Sequence, residues 1–197
     1  MEKDIRQQPS TVSAPKKKRA PVTIRHMEID DLAEVFHLGE ELFTADRVPN
    51  LYRTWDPFEV VSFYVSDWDY CFVAEMDDSI VGFALGTTIS KPRSAWKYAH
   101  LVWLGVRGDL RRSHVAERLF DHFKETVMEE GARILFVDSE AHNETALAFF
   151  KKMGFGNPRE HIYLSLNLSE RLKKARSDLR PSKKRQSAAP ASSPPSP

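Results

Sequence analysis

Residues 96–141 constrain this chain more than any other stretch. They read as a long strand, WKYAHLVWLGV (96–106), a polar turn, an amphipathic helix, SHVAERLFDHFKETVMEEG, and a further strand, RILFVDSEA. In the helix Val115, Leu119, Phe123 and Val127 recur at every fourth residue, and Gly131 supplies a C-terminal stop. The strand that follows does not alternate, which is the pattern of a strand buried on both faces. Strand, helix and strand joined by short turns form a crossover, so the two strands belong to one sheet with the helix packed on its face.

The flanking periodicities complete the plan. VTIRHM (22–27) reads as a strand. EIDDLAEVFHLGEELF (28–43) reads as a helix, with Leu32, Val35, Phe36, Leu38 and Leu42 near helical spacing and Asp30 or Asp31 as cap. RVPNLYRTW is a loop, and DPFEVVSFYVSD (56–67) is a helix capped by Asp56 with Pro57 in its first turn. YCFVAEM and SIVGFALGTTI are strands joined at Asp77-Asp78, a hairpin signal. NETALAFFKKMG is a helix with Asn143 as cap, Ala146, Phe149, Phe150 and Met153 on one face, and Gly154 at its end. HIYLSLNL (161–168) closes as an alternating strand. The order β-α-α-β-β-β-α-β-α-β is an α/β (α+β) chain whose mixed, mostly antiparallel sheet carries helices on both faces.

At 197 residues one main domain is expected. A hydrophobic content of 41% with 29% charged residues reads as soluble and globular, and no apolar run approaches the ~18 residues of a membrane span. The N-terminus has no apolar stretch behind its charges, unlike a secretory signal. Cys71 is the single cysteine, which excludes an internal disulfide or a cysteine-built zinc site and fits a reducing cytosol. Its place in YCFVAEM suits core packing better than nucleophilic chemistry.

Charge is unevenly spread. Residues 1–21 hold six Lys/Arg against two acids and residues 169–197 hold eight against two, which leaves 15 basic and 24 acidic residues in 22–168, a net of −9. Both ends are Pro/Ser/Ala/Lys-rich and read as disordered basic tails around a folded 22–168. An acidic body favours a cationic partner. PKKKR and KKR could contact nucleic acid or the ribosome, serve as a nuclear address in a eukaryote, or simply be solvated.

The turn before the amphipathic helix, DLRRSHVAERLF (109–120), crowds donors where a helix begins. The first four N–H groups of a helix lack internal partners and carry the positive end of its dipole, so they bind phosphate readily. Arg111, Arg112 and Ser113 add side-chain donors. By themselves these residues leave two readings open: an anion cradle, or a turn capped by Ser113 with solvated arginines.

The chain resembles the GNAT superfamily of acetyl-CoA-dependent N-acetyltransferases. That family's signature, Arg/Gln-x-x-Gly-x-Gly/Ala after a strand ending in valine, corresponds to Val106 and then Arg111 to Ala116, with His114 at the first glycine and Ala116 at the second small position. A second signature, Asn-x-x-Ala-x-x-Φ-Tyr-x-x-x-Gly-Phe, corresponds to Asn143, Ala146, Phe149, Gly154 and Phe155, with Phe150 in the tyrosine place. The element order agrees from Val22 to Leu168.

The resemblance implies acetyl-CoA as co-substrate, without a metal. Its pyrophosphate would lie on the N–H groups of Arg111, Arg112, Ser113, His114, Val115 and Ala116. A β-carbon at His114 is tolerable where φ is negative, which implies weaker or re-shaped binding rather than none. The pantetheine arm would pair with Trp103, Leu104, Gly105 and Val106, where Gly105 fits a bulge or a close backbone approach. An N–H near Leu104 would polarise the thioester carbonyl. Asn143 and Phe150, from the second signature, join the cofactor-binding set. Many family members carry a glutamate base where this chain has Val102. His100, two residues earlier on the same face, and Glu140 are the alternative bases. The family's usual acid is the tyrosine replaced by Phe150, whose bland role is a core aromatic; Tyr163, water or unaided thiolate departure remain.

TADRVPNLYRTW and KPRSAWKYAH, which shape the acceptor site in this family, contribute Tyr52, Trp55, Trp96 and Tyr98. With the acidic body they suggest a cationic acceptor such as a peptide N-terminus, a lysine or a polyamine. The expectation is an N-acetyltransferase acting by direct attack in a ternary complex, cytoplasmic or nuclear, off the membrane, as a monomer or homodimer. Two other classes stay open: a GNAT-fold CoA-binding or docking protein that has lost catalysis, and a nucleic-acid or ribosome adaptor acting through its tails.

Overall fold

A computed structural model describes residues 21–44, 54–90, 92–93, 95–110 and 112–160, with 162, 164, 166, 168 and 169 beyond them. The predicted basic tails fall outside the described residues but for their inner ends. The chain divides into two units, 1–156 and 157–197, and the sheet lies in the first.

The elements are β1 (Thr23–His26), α1 (Leu32–Leu42), α2 (Pro57–Ser66), β2 (Cys71–Met76), β3 (Ser79–Ser90), β4 (Lys97–Val106), α3 (Val115–Glu129), β5 (Ala132–Phe136) and α4 (Glu144–Lys152). The sheet order is β1-β2-β3-β4-β5, antiparallel from β1 to β4 and parallel between β4 and β5. Helices cover both faces. One core packs Phe72, Ala84 and Leu101 against Leu119, Phe120 and Phe123 of α3. The other packs Val73, Phe83, Leu85 and Trp103 against Val35, Leu38 and Val60 of α1 and α2.

Local chemistry explains the boundaries. Asp56 caps α2 through its carboxylate, which accepts from the Glu59 N–H at 2.8 Å. Asp77 and Asp78 both take positive φ, 52° and 56°, as a tight twisted hairpin requires of its two central residues. Asp31 does not cap α1. Its carboxylate instead takes Arg25 bidentately, at 2.6 and 2.9 Å, and the Glu28 N–H at 2.7 Å, which fastens β1 to the turn before α1. Burial pushes the Asp31 carboxyl up, but the guanidinium and the N–H outweigh it and hold the group below its ordinary range.

Two sequence expectations need correction. β5 is not buried on both faces: Ile134 and Phe136 are 38% and 36% exposed. Among the described residues it is the outer strand of the sheet, and its Ala132 and Leu135 pack on the α3 core. It also ends at Phe136, short of the expected 141. The closing strand expected over 161–168 falls on a segment in which residues 161, 163, 165 and 167 lie outside the described residues. Among the described residues the sheet has five strands.

Cys71 is fully buried, with its thiol donating to the Asp67 carbonyl at 3.3 Å. Burial, helped by Asp67 and Asp69, pushes the thiol up to about 12, so it is a packing residue.

Candidate active site

β4 changes character halfway along. From Lys97 to His100 it is bonded on both sides, to β3 and to β5. The β5 ladder stops at the pair His100–Phe136, whereas pairing with β3 continues to Val106. The two parallel strands thus part at His100, and residues 101–106 present one backbone edge that no described strand takes up.

A bulge falls at the same place. Leu85 opposes Trp103 but the next residue, Gly86, opposes Leu101, so Val102 is the extra residue. Before the bulge Ala99 and Leu101 face the α3 core; after it Trp103 faces the α1/α2 core, with Val102 packed on the same side. The bulge expected at Gly105 is therefore at Val102. Gly105 serves the other purpose expected of it, close approach: a β-carbon there would lie 2.9 Å from both Leu42 Cδ1 and Phe83 Cζ. Trp103 is 5% exposed and its indole N–H donates to Glu59 Oε1 at 3.0 Å, while Leu104 and Val106 pack on the α3 side.

Beyond β4 a single 3-10 turn (Gly108–Leu110) leads to α3. Arg111 lies outside the described residues. Arg112 and His114 both take left-handed φ, 68° and 64°. The condition under which a β-carbon at His114 is tolerable, a negative φ, is not met: the backbone keeps the conformation that glycine would take freely, at a cost on the order of 1–2 kcal/mol for a side chain. Ser113 does not cap α3 either, because its hydroxyl donates to the Leu110 carbonyl. The cap position is His114, whose side chain caps nothing. Among the described residues, the cap position thus supplies no side-chain acceptor to the first turn, Val115 to Glu117.

Glu117, in that turn, would oppose an anion were it unpaired. Lys152 of α4 donates to Glu117 Oε1 at 2.6 Å and His114 Nδ1 lies 3.1 Å from Oε2, and these contacts hold the carboxyl below its ordinary range. Lys152 thereby offsets the one acidic charge in the turn.

At the parting of β4 and β5, the imidazole of His100 stacks on Phe136 with centroids 4.3 Å apart and planes 17° from parallel. Its Nε2 lies 2.7 Å from Asp138 Oδ1. The His100 side chain is 13% exposed and that of Asp138 40%. Sequence reading missed Asp138. Its only signal was its place just past β5, beside the strand that carries His100.

The remaining candidates fall elsewhere. The Glu140 carbonyl accepts from the Asn143 N–H at 2.9 Å, which makes it part of the turn into α4. Asn143 caps α4, its Oδ1 accepting from the Ala146 N–H at 3.1 Å. Phe150, half-buried against the α3 core, packs edge-on against Phe149 and Phe155. Tyr163 lies outside the described residues. Trp55 is spent on the core, stacked on Phe83 with its indole N–H donating to the Phe36 carbonyl at 2.9 Å. Trp96 is 53% exposed and lines a cavity of about 440 Å³ with Ala95 and Arg133, at the paired end of β4. Among the described residues no three His, Cys, Asp or Glu side chains gather as a metal site, and no helix is long and apolar enough to cross a membrane.

The chain belongs to the acetyltransferase (GNAT) family, whose model matches residues 32–155. No curated protein matches it in sequence. Among solved structures it is similar to an aminoglycoside acetyltransferase from an uncultured soil metagenomic sample, in complex with trehalose. That match has a TM-score of 0.59 and 19% identity and covers 74% of this chain and 96% of that one. It is also similar to Ard1 from Thermoplasma volcanium, at TM-score 0.59, 22% identity, and 70% and 84% coverage. A third is the aminoglycoside N-acetyltransferase AAC(6')-Iy in complex with a CoA-linked bisubstrate analogue, at TM-score 0.60, 18% identity, and 75% and 99% coverage. The residues present fit a CoA thioester: the part of β4 beyond its last rung with β5 leads to a helix start whose cap residue makes no side-chain cap, through a loop whose two left-handed residues keep the backbone course that small residues would follow.

Proposed function

We propose that the protein transfers an acetyl group from acetyl-CoA to an amine, with a peptide or protein amino group as the leading acceptor, by direct attack in a ternary complex. The observation that carries this reading is the parting of β4 and β5 at His100–Phe136, which opens a slot ending at the start of α3. In it the N–H groups from Arg112 to Ala116 hold the pyrophosphate, and Trp103 to Val106 pair with the pantetheine arm as an added strand would. A β4 N–H near Leu104 polarises the thioester carbonyl.

An amine with a pKa near ~10 is mostly protonated at neutral pH, so it has to lose a proton before it attacks. His100 is the proton acceptor in this reading. It stands at the throat of the slot, held from two sides and still 13% exposed. Glu140, in the turn into α4, is the second candidate. The net charge of −9 over 22–168 favours cationic acceptors. The aminoglycosides named for two similar structures are polyamines and belong in the acceptor panel beside peptides.

A second reading is a CoA-binding domain without catalysis. It is favoured by Val102 in the place of the family's glutamate and by Phe150, which has no proton to donate. Release of free thiol from acetyl-CoA, measured across spermidine, sisomicin, lysine and short peptides, separates the two. Turnover with at least one acceptor supports the enzyme. Thermal protection by CoA without any turnover supports the binding domain, and neither effect removes both.

A further inference from the structure

We propose that Asp138 is a positioning residue that fixes the tautomer of His100 and leaves Nδ1 as the proton-accepting nitrogen; the proposal rests on the acetyl-transfer reading above. A carboxylate only accepts, so the 2.7 Å contact requires the proton on Nε2. A neutral imidazole has one N–H, so Nδ1 then carries the lone pair. Phe136 fixes the remaining freedom, because a ring stacked 17° from parallel at 4.3 Å cannot turn about its axis without leaving that face. Both constraints come from β5 and its exit, while His100 is on β4, and His100–Phe136 is the last rung of their ladder. The two contacts therefore bridge the strands at the point where they part, and the imidazole is oriented before any substrate arrives.

Across β3 the residue paired with His100 is Thr87, whose hydroxyl donates to Asp67 Oδ1 at 2.6 Å. The carboxylate in direct contact with the ring is that of Asp138. The protonated amine first gives one proton to Nδ1. Its neutral nitrogen then bonds to the acetyl carbon as the carbon–sulfur bond breaks, and sulfur leaves with the electron pair and takes up the second proton shed by nitrogen. The imidazolium keeps Nε2–H on the Asp138 carboxylate, a division of roles known from other carboxylate–histidine pairs.

The test uses the full-length protein labelled with ¹⁵N-histidine. In the wild type His100 is expected as the Nε2–H tautomer, and in Asp138→Asn that preference is expected to be lost. With acetyl-CoA and the amine panel, kcat should fall on the order of tenfold to a hundredfold in Asp138→Asn, with KM for acetyl-CoA nearly constant. Asp138→Glu, which keeps the carboxylate, should recover part of both signals. Thermal unfolding of each variant separates a folding defect from a positioning one. An unchanged tautomer in Asp138→Asn overturns the proposal, and so does a changed tautomer with kcat intact. Should the wild type release no thiol with any acceptor, the acetyl-transfer reading fails, while the spectrum still decides whether Asp138 holds the ring.

Discussion

The two halves of β4 share a strand but not a structural task. Lys97 to His100 is bonded on both edges, and its end is pinned by Lys97, which donates to Glu130 at 2.6 Å and to the Tyr70 hydroxyl at 3.2 Å. Leu101 to Val106 has one bonded edge, a bulge, and a glycine packed against Leu42 and Phe83. The first half resists change by redundancy, since strands on both sides and the Lys97 side chain hold it. The second half has no described strand on its β5 side. His100 stands at the border, with the rigidity of the first half and the access of the second.

Removing the imidazole at the border should have the largest effect. His100→Gln is expected to lower kcat by about 10²–10⁴ with little change in KM for acetyl-CoA, measured by steady-state thiol release. A similar loss in KM instead would place His100 in binding rather than proton transfer.

On β3, opposite the border, Gly86→Ala attacks packing. Its β-carbon would lie 2.3 Å from Phe123 Cε2 and 2.6 Å from the His100 carbonyl oxygen. A loss of about 1–3 kcal/mol is expected by urea denaturation, because neither a backbone carbonyl nor a ring edge-on to Phe72 can move freely.

Beyond the open half, His114→Gly should act in the opposite sense. It relieves a left-handed φ of 64° and should stabilise the protein by up to about 1 kcal/mol, part of the strain being offset by glycine's greater freedom when unfolded. It should also tighten acetyl-CoA binding in a calorimetric titration, since the β-carbon leaves the cradle.

The smallest effect is expected at the pinned end. Burial pushes the Glu130 carboxyl up, but Lys97 and Tyr70 outweigh it and hold the group below its ordinary range. A carboxyl depressed in the folded state contributes stability above its ordinary pKa, and that contribution is lost as pH falls through the depressed value. The side chain is 36% exposed, so solvent screening limits the loss to about 0.2–1 kcal/mol. Acid denaturation curves of wild type and Glu130→Gln should converge at low pH; parallel curves would contradict this.

What was readable in the sequence was local. Val115, Leu119, Phe123 and Val127 announce α3 because one helix face repeats every three to four residues. Asp56 and Asn143 announce caps, and Asp77-Asp78 a hairpin, because each acts within a few residues of itself. The bulge at Val102 was not readable, since it exists only in the register between β3 and β4. The His100–Asp138 contact joins residues 38 apart in the chain, with no periodicity to mark it. The exposure of Ile134 and Phe136 depends on what flanks β5, which an apolar run cannot report. The positive φ at His114 went against residue type, and only the backbone course of the loop reveals it.

Amide hydrogen exchange with and without acetyl-CoA tests the division of β4 most directly. Protection should rise at Leu101 to Val106 and from Arg112 to Glu117, and stay unchanged at Lys97 to His100, which are already bonded on both sides. Equal protection along all of β4, or protection confined to residues outside these segments, would contradict the account.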